Sequence, residues 1–175
     1  MKSLQLVLLS FVLAHGLRAE PGGIAQLGDK PYDFAVPGAD GSTATLSSLQ
    51  GRVVMLYFFS INEGSGAGTM MLKMIQKYTW PGFSKSGLLI IGVVRGAEPS
   101  EVKLFASQNK VPFPLVADPK REIYHHYAEK NLPRTYVIGK NGLIDLVSLG
   151  YTDDELHDRI ENAIAKELGV KPLRL

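Results

Sequence analysis

Two uninterrupted apolar runs constrain this fold more than any other feature: Val53-Val54-Met55-Leu56-Tyr57-Phe58-Phe59, and the stretch from Leu88 to Val94. Neither alternates with polar residues and each has the length of a strand, so both read as strands buried on two faces. Gly64, Gly66 and Gly68 follow the first run and lead into a helical stretch over 69–78, with Met70, Met71, Met74 and Ile75 as its apolar positions. Strand, helix and strand in that order form a βαβ unit, whose strands lie parallel with a right-handed crossover.

The pattern continues with a second helix from Pro99 to Gln108, ended by Pro112 and Pro114, and a short strand Leu115-Val116-Ala117. Asp118-Pro119 then opens a third helix carrying Ile123, Tyr124 and Tyr127. Thr135 to Ile138 and Leu143 to Val147 flank Asn141-Gly142, a hairpin signal of the type I′ turn, which needs positive φ at both central residues. Thr152-Asp153-Asp154-Glu155 is a capping box for a last helix, with Leu156, Ile160, Ala163, Ile164 and Leu168 on its apolar stripe and Gly169 at its end. Upstream, Gly41 to Leu49 reads as a turn and a short strand or helical turn. These elements make an α/β fold: a mixed sheet with helices on both faces, in one domain over 20–175.

Residues 1–19 have the grammar of a signal peptide: Lys2, an apolar run from Leu4 to Ala14, then small residues before Glu20. That run is about half the length a membrane-spanning helix needs, so the expectation is export to the periplasm or beyond, with no stable anchor after cleavage. Cleavage fits either Ala14-His15-Gly16 or Leu17-Arg18-Ala19. Setting aside Lys2 and Arg18 leaves 17 cations against 17 anions, a balance that offers nucleic acid no electrostatic attraction.

The chain has no cysteine, which excludes disulfides, thiolate metal sites and every mechanism with its own sulfur nucleophile. This count matters because of a resemblance. Gly28-Asp29-Lys30-Pro31-Tyr32-Asp33-Phe34, Asp40-Gly41, Leu46-Ser47-Ser48-Leu49 and Gly51-Arg52-Val53-Val54 resemble the opening of exported thiol-disulfide oxidoreductases and of the related alkyl hydroperoxide reductase/thiol-specific antioxidant (redoxin) family. Val111-Pro112-Phe113-Pro114, Asp118-Pro119, Asn131-Leu132-Pro133-Arg134-Thr135-Tyr136-Val137-Ile138, Asn141-Gly142 and Gly150-Tyr151 extend the resemblance, which covers about 28–168. It implies a thioredoxin-like fold. It also implies a Cys-x-x-Cys motif where the first strand meets its helix, at which a helix N-terminus lowers a thiol pKa. Glu63-Gly64-Ser65-Gly66 lies over that position, and the peroxidase branch's single cysteine is missing from the same loop. Ser65 is no substitute, since an alkoxide is far harder to form and no histidine base lies nearby in sequence.

In the family, the proline matching Pro133 is cis and the backbone beside it pairs with an extended peptide, so Leu132, Pro133 and Arg134 are the candidate binding residues. The plain alternative is a turn that starts a strand. Arg134 either attracts acidic partners or is merely solvated. The loop from Gly64 to Gly68 could cradle an anion, but Thr69 occupies the third glycine position of G-x-G-x-x-G and Glu63 opposes a phosphate. His125 and His126 point about 100° apart on a helix and cannot chelate one ion together. His157 lies among Asp153, Asp154 and Asp158 on a solvated face, the three methionines are helix core, and Trp80 to Phe83 sits near the lost active site as core or interface. No metal and no cofactor are implied.

Three functions are in competition. The first is an exported redoxin-family protein without thiol chemistry that binds an extended polypeptide or exported protein partner beside Pro133. The second is thiol-disulfide oxidoreductase or peroxidase activity that does not use a cysteine of its own. The third is an anion or nucleotide binder using the glycine loop.

Overall fold

The computed structural model describes residues 23–38, 42–63, 66–150 and 154–173. A two-stranded antiparallel ribbon, β1 (Ala35–Pro37) and β2 (Thr43–Thr45), leads through a 3-10 turn (Leu46–Leu49) into β3 (Val54–Phe59). Next, α1 (Ala67–Met74) continues through a π-helical turn (Ile75–Thr79) into α2 (Trp80–Phe83). The remaining elements are β4 (Leu89–Arg95), α3 (Pro99–Gln108), β5 (Leu115–Asp118), α4 (Glu122–Tyr127), β6 (Arg134–Ile138), β7 (Ile144–Leu149) and α5 (Asp154–Leu168).

The sheet order is β5-β4-β3-β6-β7, with β4 parallel to β3 and β5, and β6 antiparallel to β3 and β7. All six residues of β3 are buried, because a strand flanks it on each side and helices cover both faces. Met55, Tyr57 and Phe59 enter one core with Met71, Leu72, Ile75, Val102, Ile160 and Ile164. Val54, Leu56 and Phe58 enter the other with Tyr124, Tyr127 and Tyr136. Alternation at period two thus divides one apolar run between two cores, which is why the run carries no polar residue. Gly68 lets α1 lie close on β3: a Cβ there would stand 3.0 Å from Phe59 Cβ, and the Gly68 carbonyl accepts the buried Tyr57 hydroxyl at 2.5 Å.

Several local expectations are corrected. The first helix begins two residues early and runs on to Phe83, since the π turn and Pro81 in the first turn of α2 let it continue beyond Tyr78. The third helix starts at Glu122, because Arg121 takes a left-handed φ of 63°; Asp118 still caps it from four residues away, accepting the N–H groups of Ile123 and Tyr124 at 3.2 and 2.8 Å. The β6–β7 hairpin is not type I′. Only Gly142 has positive φ, the Gly142 N–H donates to the Gly139 carbonyl at 2.9 Å, and the register shifts by one residue next to Ile138. Gly139 to Gly142 is therefore an ordinary turn closed by a left-handed glycine, with a bulge absorbing the extra residue.

His157 is not solvated. It is 7% exposed, its Nε2 stands 3.0 Å from Oε1 of Glu161, itself 1% exposed, and the Thr79 hydroxyl donates to that same oxygen at 3.3 Å. Trp80 packs on Phe113 at 5.7 Å, at the far end of the α1–α2 helix from the β3 C-terminus, so it does not adjoin the segment from Glu63 to Gly66. The expected leader and the Thr152-Asp153 part of the expected capping box lie outside the described residues. Among the described residues, no helix is long and apolar enough to cross a membrane.

Where α5 meets β7, partial burial and the neighbouring Glu167 carboxylate raise the Asp145 pKa. A raised folded-state pKa means the folded chain holds this proton better than the unfolded one. Stability from that difference is present below the unfolded pKa and is lost as pH rises through the folded pKa. Asp145→Asn should therefore melt higher than the parent at about pH 7, with the gain vanishing toward about pH 3. Equal melting temperatures at both pH values would contradict this placement of the carboxylates.

Candidate functional site

The C-terminal ends of β3, β4 and β5 meet the start of β6 at one end of the sheet, since β6 runs antiparallel to its neighbours. From β3 the chain crosses to β4 on one side, and it later returns to place β6 on the other. A crevice outside the strand ends at such a switch point is where open α/β sheets hold ligands.

On the α1 side of this end, Gly66 is the N-cap of α1 with a φ of 65° and no side-chain cap, and Ala67 is the first helical residue. The Gly66 carbonyl accepts the Thr69 hydroxyl and the Met70 N–H, both at 2.9 Å. Gly64 and Ser65 lie outside the described residues, so the position of the missing Cys-x-x-Cys is bounded by Glu63 and Gly66. Glu63 does not lie free beside the glycine loop: its Oε1 accepts from Nη2 of Arg95, the last residue of β4.

Arg95 and Arg134 are the unexpected feature. Residues 89, 91, 93 and 95 share one face of β4, and residues 134, 136 and 138 share the same face of β6, the face covered by α4. Register pairs Phe58 of β3 with Val93 on one side and Arg134 on the other. The two guanidiniums consequently flank the end of β3 beneath Tyr124. Arg95 Cζ stands 4.6 Å from the Tyr124 ring centroid, a cation–π distance. Burial pushes the Tyr124 phenol pKa up, and the two neighbouring guanidiniums draw it partly back.

Arg134, in sequence terms a residue that flanks a ligand and either attracts acidic partners or lies solvated, is instead 0% exposed. Its Nε and Nη2 donate to the Lys130 carbonyl at 3.3 and 3.2 Å, while Tyr124 donates its hydroxyl to the Asn131 carbonyl at 2.8 Å. Interior donors thus turn two consecutive loop carbonyls inward. The next peptide bond, Leu132-Pro133, is cis, and the Pro133 carbonyl accepts the Gly150 N–H at 2.8 Å. Pro133 is buried and Leu132 half-buried. Neither backbone polar group of Leu132 has a backbone partner among the described residues. Met70, expected from its helical spacing in the core, is instead 58% exposed and presents apolar surface from the first turn of α1.

The site therefore holds Glu63, Gly66, Leu132 and Pro133 at one end of the sheet, with Arg134 as an interior brace. Arg95 and Tyr124 are not singled out as site residues by the sequence. The signal is there in the period-two phase of Arg95 with Ile91 and Val93, and of Arg134 with Tyr136 and Ile138. His126 stacks on Tyr32 at 3.6 Å, and no group of three metal-ligating side chains occurs among the described residues.

The AhpC/TSA family profile matches residues 27–147. Peroxiredoxin Q, chloroplastic, of Populus jackii is 29% identical over 137 residues, covering 74% of this chain and 63% of that protein, so the chain spans a little under two thirds of that relative's length. A candidate protein disulfide isomerase from Bacteroides thetaiotaomicron superposes with a TM-score of 0.72 at 30% identity, over 85% of this chain and 93% of that one. A candidate thiol:disulfide interchange protein DsbE from Chlorobium tepidum gives 0.71 at 26% identity, over 83% and 99%. With the sheet order, the helix placement and the cis-proline loop already in view, these likenesses lead to one conclusion: the chain belongs to the AhpC/TSA family, with a thioredoxin-like fold and without a cysteine.

Proposed function

We propose that this chain is an exported member of its family that has lost thiol redox chemistry and holds an extended polypeptide beside Leu132-Pro133. The observation that carries the reading is a combination. The sequence has no cysteine to act as nucleophile, yet the loop at Leu132 leaves a backbone donor and acceptor without backbone partners among the described residues. Unpaired main-chain groups at a sheet end are what an added peptide strand uses, and the half-buried Leu132 and exposed Met70 give it apolar contact. Export is supported by the leader grammar from Lys2 to Ala19.

The test is calorimetric titration of a permanently unfolded, thiol-blocked probe chain into the parent and into Pro133→Ala, with circular dichroism to verify folding. Binding by the parent and about a tenfold loss in the folded variant, roughly one good apolar or hydrogen-bonded contact, is expected. Equal affinities would remove the Leu132-Pro133 loop from the function. The relatives named as peroxiredoxins and disulfide isomerases favour a second reading, redox catalysis with a thiol supplied by a partner. Turnover of peroxide or of a disulfide substrate by the isolated chain would favour it over binding alone.

A further inference from the structure

We propose that Arg95 is a carboxylate clamp, and that Glu63 is its built-in occupant, displaced when an acidic residue of the bound polypeptide enters. The proposal rests on the polypeptide reading above and names the chemistry that the polypeptide brings. Arg95 closes β4 at this end of the sheet, its side chain 13% exposed, held from below by the Tyr124 ring. Its Nη2 engages Glu63, whose side chain is 46% exposed, while its Nε is buried and makes no hydrogen bond among the described residues. A guanidinium can grip a carboxylate through two parallel N–H groups, so a site that uses one and leaves another buried and idle is incompletely served by its own carboxylate.

The asymmetry of burial sets the direction of exchange. Arg95 is fixed by packing, whereas Glu63 reaches in from solvent and can return there at little cost, because exposed ion pairs contribute little to stability. An incoming carboxylate that satisfies Nε as well as Nη2 replaces one charge-assisted bond with two. It also removes an unsatisfied buried donor, a group that is expensive to leave unmade. The seated Glu63 shows that a carboxylate fits at this guanidinium, which is why an acidic side chain or chain terminus is the chemistry proposed.

The experiment compares two acetylated, amidated pentapeptides, Ala-Val-Glu-Val-Ala and its Gln counterpart, against the parent, Glu63→Gln and Arg95→Gln. A succinate titration of Glu63→Gln, read on the Arg95 side-chain Nε–H resonance by NMR, runs beside it. Glu63→Gln, a rim substitution that leaves the core intact, should bind the Glu peptide about tenfold more tightly than the parent does and the Gln peptide equally. Arg95→Gln should bind the two peptides alike. Tightening of both peptides together by Glu63→Gln, or a Glu preference that survives in folded Arg95→Gln, would overturn the clamp. A succinate-dependent shift without peptide binding would keep the clamp and overturn the polypeptide reading. Peptide binding without acid preference or succinate response would do the reverse, and no response in any arm would overturn both.

Discussion

Glu161→Ala is expected to cost about 3–5 kcal/mol of stability in a urea titration, the largest effect of any polar substitution considered. Glu161 is buried on the inner side of α5 with His157 Nε2, one turn earlier, at 3.0 Å and the Thr79 hydroxyl at 3.3 Å on one oxygen, and the Tyr78 ring stands edge-on to His157 at 6.2 Å. The π turn from Ile75 to Thr79 places Thr79 against α5, so the Thr79–Glu161 hydrogen bond ties the long α1–α2 helix to the last helix. Removing the Glu161 carboxyl takes from buried His157 and Thr79 the acceptor they share, at a desolvation cost that nothing in the variant offsets. His157→Leu should be costly for the same reason, since it strands a buried carboxyl group. The double variant His157→Leu/Glu161→Leu should recover most of the loss, because replacing a whole buried polar pair with apolar side chains is far less costly than breaking it. Two single losses that simply add in the double variant would show that the residues do not act as a pair.

The second large effect concerns the helix end next to the segment from Glu63 to Gly66, where the family's motif would stand. Ala67 is the first residue of α1, and the Gly66 N-cap offers no side chain to the first-turn amides. Those N–H groups are the positive end of the helix and favour an anion placed among them. Ala67→Cys should therefore give a thiol that titrates at least about one unit below the ordinary value of roughly 8.5, whereas Ser86→Cys, exposed at the other end of the helix, should stay near it. Thiolate absorbance against pH reads both. An Ala67→Cys thiol that titrates with the Ser86→Cys control would mean that this helix end has lost the electrostatics as well as the sulfur, and that more than a side chain separates the chain from thiol chemistry.

Much of the fold is legible in the sequence because the strongest signals are long-range in character. The runs at Val53 and Leu88 carry no polar residue since β3 and β4 are covered on both faces, and that alone implies helices on two sides. Pro99 to Gln108 is bounded correctly by prolines that cannot continue a helix. Turn chemistry is less legible: Asn141-Gly142 announces a hairpin, but the bulge at Ile138 decides which turn closes it, and a bulge is set by cross-strand register rather than by the dipeptide. Arg134 and His157 mislead for one shared reason. A charged or polar residue is solvated by default, and burial is revealed only when its partners are assembled around it: Tyr124 and Lys130 for the arginine, Thr79 and Glu161 for the histidine. The same assembly is needed to see Arg95 meet Glu63, 32 residues away along the chain.

The most direct test of the account is backbone amide exchange at Leu132, followed by NMR in the free chain and in the presence of a saturating thiol-blocked unfolded probe. The Leu132 N–H has no backbone partner among the described residues, so it should exchange readily in the free chain and slow by about tenfold or more when a probe strand pairs with it. Slow exchange already in the free chain, or an exchange rate unchanged by a bound probe, would contradict a polypeptide-binding function at the cis-proline loop.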